Sequence, residues 1–114
     1  MSDALPVSVV VVSRDRPDAL RRCLEAVAQL QYPTFEVVVV ADAAGVAAAR
    51  RMPFVDNLKI VLFERANISQ ARNLGISQAA GEIVAFIDDD AVPEPSWLSY
   101  LTDPFKKPEV ACAG

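Results

Sequence analysis

Two runs of valine constrain the fold of this chain more than any other feature of its sequence. Residues 7–12 and 37–40 are apolar at nearly every position, whereas a strand with one face in water would alternate apolar and polar residues. Such runs are typical of central strands in a parallel sheet covered by helices on both faces. Between the two runs, an apolar stripe at helical spacing follows Pro17 and comprises Leu20, Cys23, Leu24, Val27 and Ala28. A strand, a helix and a second strand within about 35 residues predict a right-handed parallel crossover and an α/β fold.

The rest of the chain continues the alternation of strands and helices. The strands after the first are predicted at residues 35–41, 59–63 and 82–87. The helices after the first are predicted at residues 43–51, from Asn67 or Ser69 to Ala80, and from the prolines at 93 and 95 through Leu101. Gly81 is expected as the C′ residue that ends the third helix. The chain has 114 residues and no repeat or linker, so we expect a single domain over residues 1–114, a Rossmann-like three-layer α/β/α unit with a mostly parallel sheet.

Composition excludes several classes of function. The chain contains no histidine, which removes Ser-His-Asp and Cys-His triads and the commonest zinc ligand. Its formal charge of −4 disfavours a basic surface that binds nucleic acid, and it holds neither a G-x-G-x-x-G nor a P-loop motif. No apolar run approaches the roughly 20 residues that span a bilayer, and no signal peptide is apparent, so we expect a cytoplasmic protein without a transmembrane segment. Cys23 and Cys112 are expected to be free thiols.

Polar residues gather where the predicted strands end. The strand ends lead into Ser13, Arg14, Asp15 and Arg16, into Asp42, into Glu64 and Arg65, and into Asp88, Asp89 and Asp90. In an open α/β sheet the carboxyl ends of parallel strands lie at one edge, and ligands bind there. The sequence therefore predicts one binding site that draws residues from several strands.

The three consecutive aspartates are the sharpest candidate for chemistry. Three carboxylates in succession repel one another unless a cation or solvent screens them. Alternate residues of an extended segment share a side, so Asp88 and Asp90 are expected to point together and Asp89 to point away. One or two carboxylates with phosphate oxygens are typical ligands of Mg²⁺ and Mn²⁺. The alternative is a solvated acidic loop in which Asp90 or a neighbour caps the following helix.

Asp42 and Arg72 are further candidates for ligand binding. Asp42 ends the second strand beside small residues, where its carboxylate can accept hydrogen bonds from a base or ribose; alternatively, it caps the helix that follows. Arg72 can offer bidentate hydrogen bonds to a diphosphate, and its alternative is a surface ion pair. Gly75, in the same predicted helix, indicates close packing or the close approach of a ligand.

Five short blocks carry a resemblance to a known family. In order along the chain they are VSVVVVSRDRPD (residues 7–18), YPTFEVVVVAD (32–42), ARNLG (71–75), GEIVAFIDDD (81–90) and PEPSWL (93–98). Together they resemble the nucleotide-binding half of family-2 inverting glycosyltransferases with the GT-A fold. The resemblance covers residues 7–114, which is nearly the whole chain.

The resemblance implies a UDP-, GDP- or dTDP-linked sugar as the donor substrate and an acceptor that it does not identify. It implies that Asp42 reads the donor's base, that Arg72 lies near the ribose and diphosphate, and that the loop bordering the base comprises Ser13, Arg14, Asp15 and Arg16. Asp88 and Asp89 would contact the nucleotide, and Asp90 together with Asp88 would hold Mn²⁺ or Mg²⁺ on the diphosphate. That cation would act as a Lewis acid on the charge of the leaving nucleoside diphosphate.

Two positions depart from the family pattern. Arg14 stands where the family often has an aromatic ring that stacks on the base, and Ala41 replaces the first acid of the usual pair. The family's catalytic domain continues past the point that corresponds to Gly114, so we expect the general base and the acceptor site there and mainly the donor-binding half here. Two alternatives stay open: a non-catalytic α/β module that forms a homodimer through its exposed edge, and a related nucleotidyltransferase.

Overall fold

Nine elements make up the part of the chain that the structure describes. The structure is a computed structural model, and it describes residues 5–52, 57–102 and 112–113. The elements are β1 (Val7–Ser13), α1 (Pro17–Val27), β2 (Phe35–Ala41), α2 (Ala43–Arg50), β3 (Leu58–Leu62), α3 (Ile68–Gln78), β4 (Ile83–Asp88), α4 (Trp97–Thr102) and β5 (Cys112–Ala113). The strands form one sheet in the order β3-β2-β1-β4-β5, and every neighbouring pair is parallel. The predicted α/β fold with a mostly parallel sheet is confirmed.

Helices cover both faces of this sheet. Val9 and Val11 of β1 face the side on which α1, α2 and α4 pack, and they share one core with Leu24 of α1. Val10 faces the opposite side and shares a second core with Ala71 of α3. Both faces of β1 are therefore covered, which explains why its sequence is apolar at nearly every position. The three-layer α/β/α arrangement is as predicted. Among the described residues, no helix is long and apolar enough to cross a bilayer.

The connection between α3 and β4 differs from the sequence prediction. α3 ends at Gln78, and Gly81 does not have a positive φ, so the expectation that Gly81 is the C′ residue of this helix is wrong. A Cβ atom on Gly81 would lie 2.7 Å from the backbone nitrogen of Ser8. Glycine is required there because two backbone segments approach closely. Gly75 also marks close packing, since a Cβ there would lie 2.5 Å from Val10 Cγ1.

A polar network ties this connection to the amino ends of the strands. Ser8 Oγ and Ala80 N both donate to Glu36 Oε2, at 2.5 and 2.6 Å, and Gly81 N donates to Ser8 Oγ at 2.8 Å. Lys59 Nζ lies 2.9 Å from Glu36 Oε1. Burial by itself raises the pKa of Glu36, but the hydrogen bonds from Ser8 and Ala80 and the charge of Lys59 outweigh it and lower the pKa below its usual value. The ionised carboxylate of Glu36 therefore stabilises the fold at the amino ends of the strands, away from the carboxyl ends where the site is predicted.

Replacing Glu36 with glutamine is expected to lower the free energy of unfolding by about 1–2 kcal/mol at neutral pH, because the neutral amide is a weaker acceptor for these donors. A carboxyl group whose pKa is lowered by folding stabilises the fold above its unfolded pKa, and this contribution is lost as the pH falls through the folded pKa. The difference between the wild type and Glu36→Gln should therefore shrink as the pH falls below 4.5, the usual value of the group.

Urea unfolding at several pH values measures this difference. Glu25→Gln is the matched control, because Glu25 is exposed and its partner Arg21 lies one turn away on the same helix at 3.8 Å. We expect this control to change the free energy of unfolding by no more than about 0.5 kcal/mol. A Glu36→Gln effect that persists undiminished in acid would contradict the role given to the carboxylate charge.

Candidate functional site

The carboxyl ends of β1 and β4 form the switch point of the sheet. β1 lies between β2 and β4. The chain leaves β1 through α1, on one face of the sheet, and reaches β4 through α3, on the other face. The direction of winding therefore reverses between these two strands, and in an open α/β sheet such a reversal opens a crevice outside the strand ends. Ser13 ends β1 and Asp88 ends β4, so both stand at this crevice.

A cleft of about 590 Å³ opens at the switch point. Its walls come from the ends of β1, β2 and β4 and from the segment that leads into α3, and the lining residues are Val12, Ser13, Arg14, Arg16, Val40, Phe63, Arg65, Ala66, Asn67, Ile68, Ala71, Asp88, Asp89 and Asp90. The structure thus brings together seven of the strand-end residues that the sequence analysis named, namely Ser13, Arg14, Arg16, Arg65, Asp88, Asp89 and Asp90. Asp15, Asp42 and Arg72 are not among the lining residues.

The three aspartates differ in burial. Ser13 Oγ donates to Asp89 Oδ2 at 3.0 Å, and the Asp89 side chain is 12% exposed, against 64% for Asp90. Arg16 Nη1 lies 3.5 Å from Asp89 Oδ1 and 3.6 Å from Asp90 Oδ2. All three aspartates line the same cleft, but Asp88 and Asp90 are exposed whereas Asp89 is buried. β4 ends at Asp88 and the backbone turns there, since Ala91 N donates to the carbonyl oxygen of Asp88 at 3.1 Å.

The thiol of Cys23, on α1, packs beneath the aspartates. Cys23 is buried, and its Sγ donates to the carbonyl oxygen of Asp88 at 3.5 Å. Burial, followed by the negative charges of Asp89, Asp90 and Asp88, raises the pKa of Cys23 to about 12. This thiol therefore stays protonated at neutral pH, and the prediction that it is free is confirmed. The prediction for the side chain of Cys112 lies outside the described residues.

Asp42 connects the loop between β1 and α1 (residues 14–16, the β1 loop) to the start of α2. Its Oδ1 accepts from Gly45 N at 3.1 Å, so Asp42 is the N-cap of α2, and its Oδ2 accepts from Asp15 N at 2.8 Å. The hydrogen bond from Asp15 N is the largest influence on the pKa of Asp42, which is lowered although partial burial opposes the shift. Asp15 has a φ of 60°, a left-handed conformation that aspartate tolerates better than most residues. Both residues shape the loop that carries Arg14 and Arg16 into the cleft.

Arg72 lies in a neighbouring cleft of about 350 Å³. Its Cζ is 5.7 Å from the centre of the Phe86 ring, a cation–π contact. This second cleft shares Val12, Ile68 and Asp88 with the first. Arg72 therefore lines the neighbouring cleft and not the one that Arg14 and Arg16 line.

The wall of the cleft between β3 and α3 contains Arg65, which the sequence analysis named as a strand-end residue without giving it a role in ligand binding. Arg65 follows the end of β3, the same signal that selected the other strand-end residues, and it gives the cleft a third guanidinium group beside Arg14 and Arg16. Asn67 also lines this wall, and its side chain caps α3 by accepting from the nitrogen of Gln70 at 3.0 Å. No periodicity marks these residues as ligand-binding, because the wall lies in a loop.

The carboxylates of Asp88 and Asp90 are the groups in the cleft that could hold a cation. The described residues contain no group of three or more histidine, cysteine, aspartate and glutamate side chains that could hold a metal ion by themselves. Mg²⁺ and Mn²⁺ bind through one or two carboxylates together with phosphate oxygens and waters. This donor set therefore fits such an ion in the company of a diphosphate.

The chain has sequence relatives among curated proteins. The sequence model of the family described as Glycosyl transferase family 2 matches residues 8–114. The chain is 34% identical over 114 residues to the O-antigen biosynthesis protein RfbC of Myxococcus xanthus, and 36% identical over 106 residues to the glycosyltransferase AglE of Haloferax volcanii. These matches cover 95% and 86% of this chain but 9% and 35% of the two relatives.

Solved structures of larger proteins contain the same fold. The mannosyltransferase PcManGT from Pyrobaculum calidifontis, solved in complex with GDP-Man and Mn²⁺, matches 96% of this chain with a TM-score of 0.85 and 29% identity. TarS of S. aureus, solved in complex with UDP, matches 88% of this chain with a TM-score of 0.66 and 27% identity. This chain spans 34% and 32% of those two chains.

Proposed function

This chain belongs to glycosyl transferase family 2, and we propose that it binds the nucleoside-diphosphate part of a sugar donor in a metal-assisted glycosyl transfer. The observation that carries this proposal is the cleft at the switch point, in which three guanidinium groups and three carboxylates line one cavity. Because the chain spans about a third of each of the two structures described above, the proposal concerns binding and activation of the donor. Acceptor binding and removal of the acceptor's proton are not assigned to the residues described.

The size and charge of the cleft support this choice of ligand. A volume of about 590 Å³ falls within the range of small-molecule pockets, about 300–1,000 Å³. Arginine is suited to phosphate because its planar group donates two parallel hydrogen bonds, and Arg14, Arg16 and Arg65 all line the cleft. The match to structures solved with GDP-Man and UDP supports the same chemical class.

We assign recognition of the base to the β1 loop and Asp42. A guanidinium group can stack on a flat ring, which suits Arg14 to the position where the family often has an aromatic residue. Asp42 already accepts two backbone hydrogen bonds, but a carboxylate offers about four lone-pair sites, so acceptor capacity remains for a base. Arg72 would reach the ribose or diphosphate from the neighbouring cleft, across Val12 and Asp88, which line both.

Asp90, with Asp88, would hold Mn²⁺ or Mg²⁺ against the diphosphate. A bound cation supplies Lewis-acid stabilisation of the negative charge that develops on the leaving diphosphate. Asp89 has a structural role, because its carboxylate accepts a hydrogen bond from Ser13 and pairs with Arg16. These contacts fix the end of β4 against the end of β1. The side chains of Ser13 and Asp89 thereby hold the exposed carboxylates in place.

Calorimetric titration with UDP, GDP and dTDP, each with and without Mn²⁺, tests the proposed function. We expect at least one of the three to bind, with an affinity that rises by about tenfold or more in Mn²⁺, because a cation held by Asp90 would attract the negatively charged phosphates. The matching nucleoside is the control, since it lacks the phosphates and should show no dependence on Mn²⁺.

Absence of binding for all three diphosphates, or binding that Mn²⁺ does not strengthen, would contradict the proposal. Release of pyrophosphate instead of a nucleoside diphosphate would favour a nucleotidyltransferase. Pairing with a second copy and a cytoplasmic location remain predictions from the sequence, which sedimentation and cell fractionation would test.

A further inference from the structure

Arg16 pairs with two neighbouring carboxylates at the point where the proposed cation would bind. Its Nη1 lies 3.5 Å from Asp89 Oδ1 and 3.6 Å from Asp90 Oδ2, so one guanidinium spans the two side chains. The Asp89 carboxylate is also held by Ser13 and is largely buried, whereas the Asp90 carboxylate is mostly exposed. The two contacts of Arg16 therefore differ in exposure, and solvent and solutes can reach the contact with Asp90.

The backbone of the β1 loop directs Arg16 toward the aspartates. Asp15 adopts its left-handed conformation while its nitrogen donates to Asp42, which anchors the loop to β2 immediately before Arg16. Pro17 follows as the first residue of α1, and its ring fixes the backbone on the other side of Arg16. Arg16 is thus the N-cap residue of α1 and has no side-chain hydrogen bond to the helix. Its side chain contacts Asp89 and Asp90 instead.

We propose that Arg16 is the counter-charge of the three consecutive aspartates, residues 88–90. Its guanidinium group holds Asp89 in place and is displaced from Asp90 when a divalent cation binds there. This inference rests on the proposed function, because it presumes that Asp90 is a cation ligand. Without a cation, the guanidinium offsets the mutual repulsion of adjacent carboxylates. When the cation binds Asp90, the two positive charges compete for one carboxylate, while the contact with the buried Asp89 persists. Arg16 is therefore a positioning residue that sets how tightly the cleft holds a cation.

Removing the charge of Arg16 should tighten the binding of the cation. In Arg16→Gln, the cation no longer competes with a guanidinium for Asp90, and we expect the affinity for Mn²⁺ to rise by about three- to tenfold, a modest factor because the pair is exposed to solvent. Arg16→Lys keeps the positive charge and should stay close to the wild-type affinity. A residue that merely supported the fold would give the opposite result, with weaker binding in both variants.

Mn²⁺ binding is measured by the electron paramagnetic resonance of the free ion, with the protein alone and with a saturating nucleoside diphosphate. Arg21→Gln is the matched control: it removes the same charge from an exposed ion pair on α1, with Glu25, and should leave the Mn²⁺ affinity unchanged. Unchanged or weaker binding in Arg16→Gln would overturn the inference, and so would an equal gain in Arg21→Gln, which would indicate a general effect of net charge.

A second measurement needs no variant and covers the case in which Arg16→Gln does not fold. The side-chain Nε–Hε resonance of Arg16 is followed by NMR while the wild type is titrated with diamagnetic Mg²⁺. Displacement from Asp90 predicts a shift that saturates together with the backbone resonance of Asp90, and an Arg16 signal that stays constant would overturn the inference. If the wild type binds a nucleoside diphosphate with Mn²⁺ but Arg16 shows neither effect, the inference alone fails. If the wild type binds no cation, both proposals fail.

Discussion

Replacing Gly81 with alanine is expected to lower the free energy of unfolding by about 3 kcal/mol, at the upper end of the usual cost of overpacking. The added Cβ would lie 2.7 Å from Ser8 N, 2.8 Å from Ser8 Oγ and 2.8 Å from the carbonyl carbon of Val7. Two of these atoms belong to the backbone of β1, a central strand that pairs with β2 and β4 and cannot move without disturbing both ladders. The same shift would break the hydrogen bond from Gly81 N to Ser8 Oγ. Urea unfolding of the wild type and Gly81→Ala measures the loss.

Two comparisons make this test specific to the backbone contact. Ala80→Ser adds one heavy atom to the exposed neighbour in the same loop and should change the free energy of unfolding by less than about 0.5 kcal/mol. Adding Ser8→Ala to Gly81→Ala removes the hydroxyl but leaves Ser8 N and Val7 in place, so it should not restore stability. Wild-type stability in Gly81→Ala, or full rescue by Ser8→Ala, would show that the close approach of backbones does not limit this position.

Most of the fold follows from patterns that are local in the sequence. β2 begins and ends at the predicted residues, and α1 begins at Pro17, because a β-branched run and a proline act within a few positions of the chain. Gly81 is different. Its constraint comes from Ser8, which is 73 residues away in the sequence and one strand away in space. A local pattern identifies a glycine near a helix end but does not distinguish a left-handed cap from a close contact with a distant strand.

The candidate site follows from the sequence in outline but not in its internal arrangement. The rule that ligands bind at strand ends predicts that Ser13, Arg16 and the aspartates meet, and the structure brings them into one cleft. The same rule says nothing about Arg72, whose position depends on the rotation of α3 about its own axis and on the Phe86 ring beneath it. The burial of Asp89 depends on where β4 stops and turns, which the spacing of residues leaves undetermined.

The unequal burial of the aspartates predicts that two neighbouring isosteric substitutions affect different properties, one the binding of the nucleotide and the other the stability of the fold. Asp90→Asn is expected to lower the Mn²⁺-dependent affinity for a nucleoside diphosphate by roughly 100-fold, or about 3 kcal/mol, because it removes the charge of the proposed cation ligand. Its stability should stay within about 0.5 kcal/mol of the wild type, since the side chain is 64% exposed. Asp89→Asn is expected to lower the free energy of unfolding by about 2 kcal/mol, because Ser13 and Arg16 lose a largely buried charged acceptor.

Each variant of this pair serves as the control for the other, since both replace one carboxylate oxygen with an amide nitrogen at adjacent positions. Calorimetry with and without Mn²⁺ measures binding, and urea unfolding measures stability. If Asp90→Asn keeps the full effect of Mn²⁺ on nucleotide affinity, the exposed carboxylate is not a ligand of the cation. If Asp90→Asn is as destabilised as Asp89→Asn, the burial of Asp89 does not separate their roles. Loss of the Mn²⁺ effect in Asp90→Asn with unchanged stability would place the cation at the exposed carboxylate, while Asp89 holds the turn against β1.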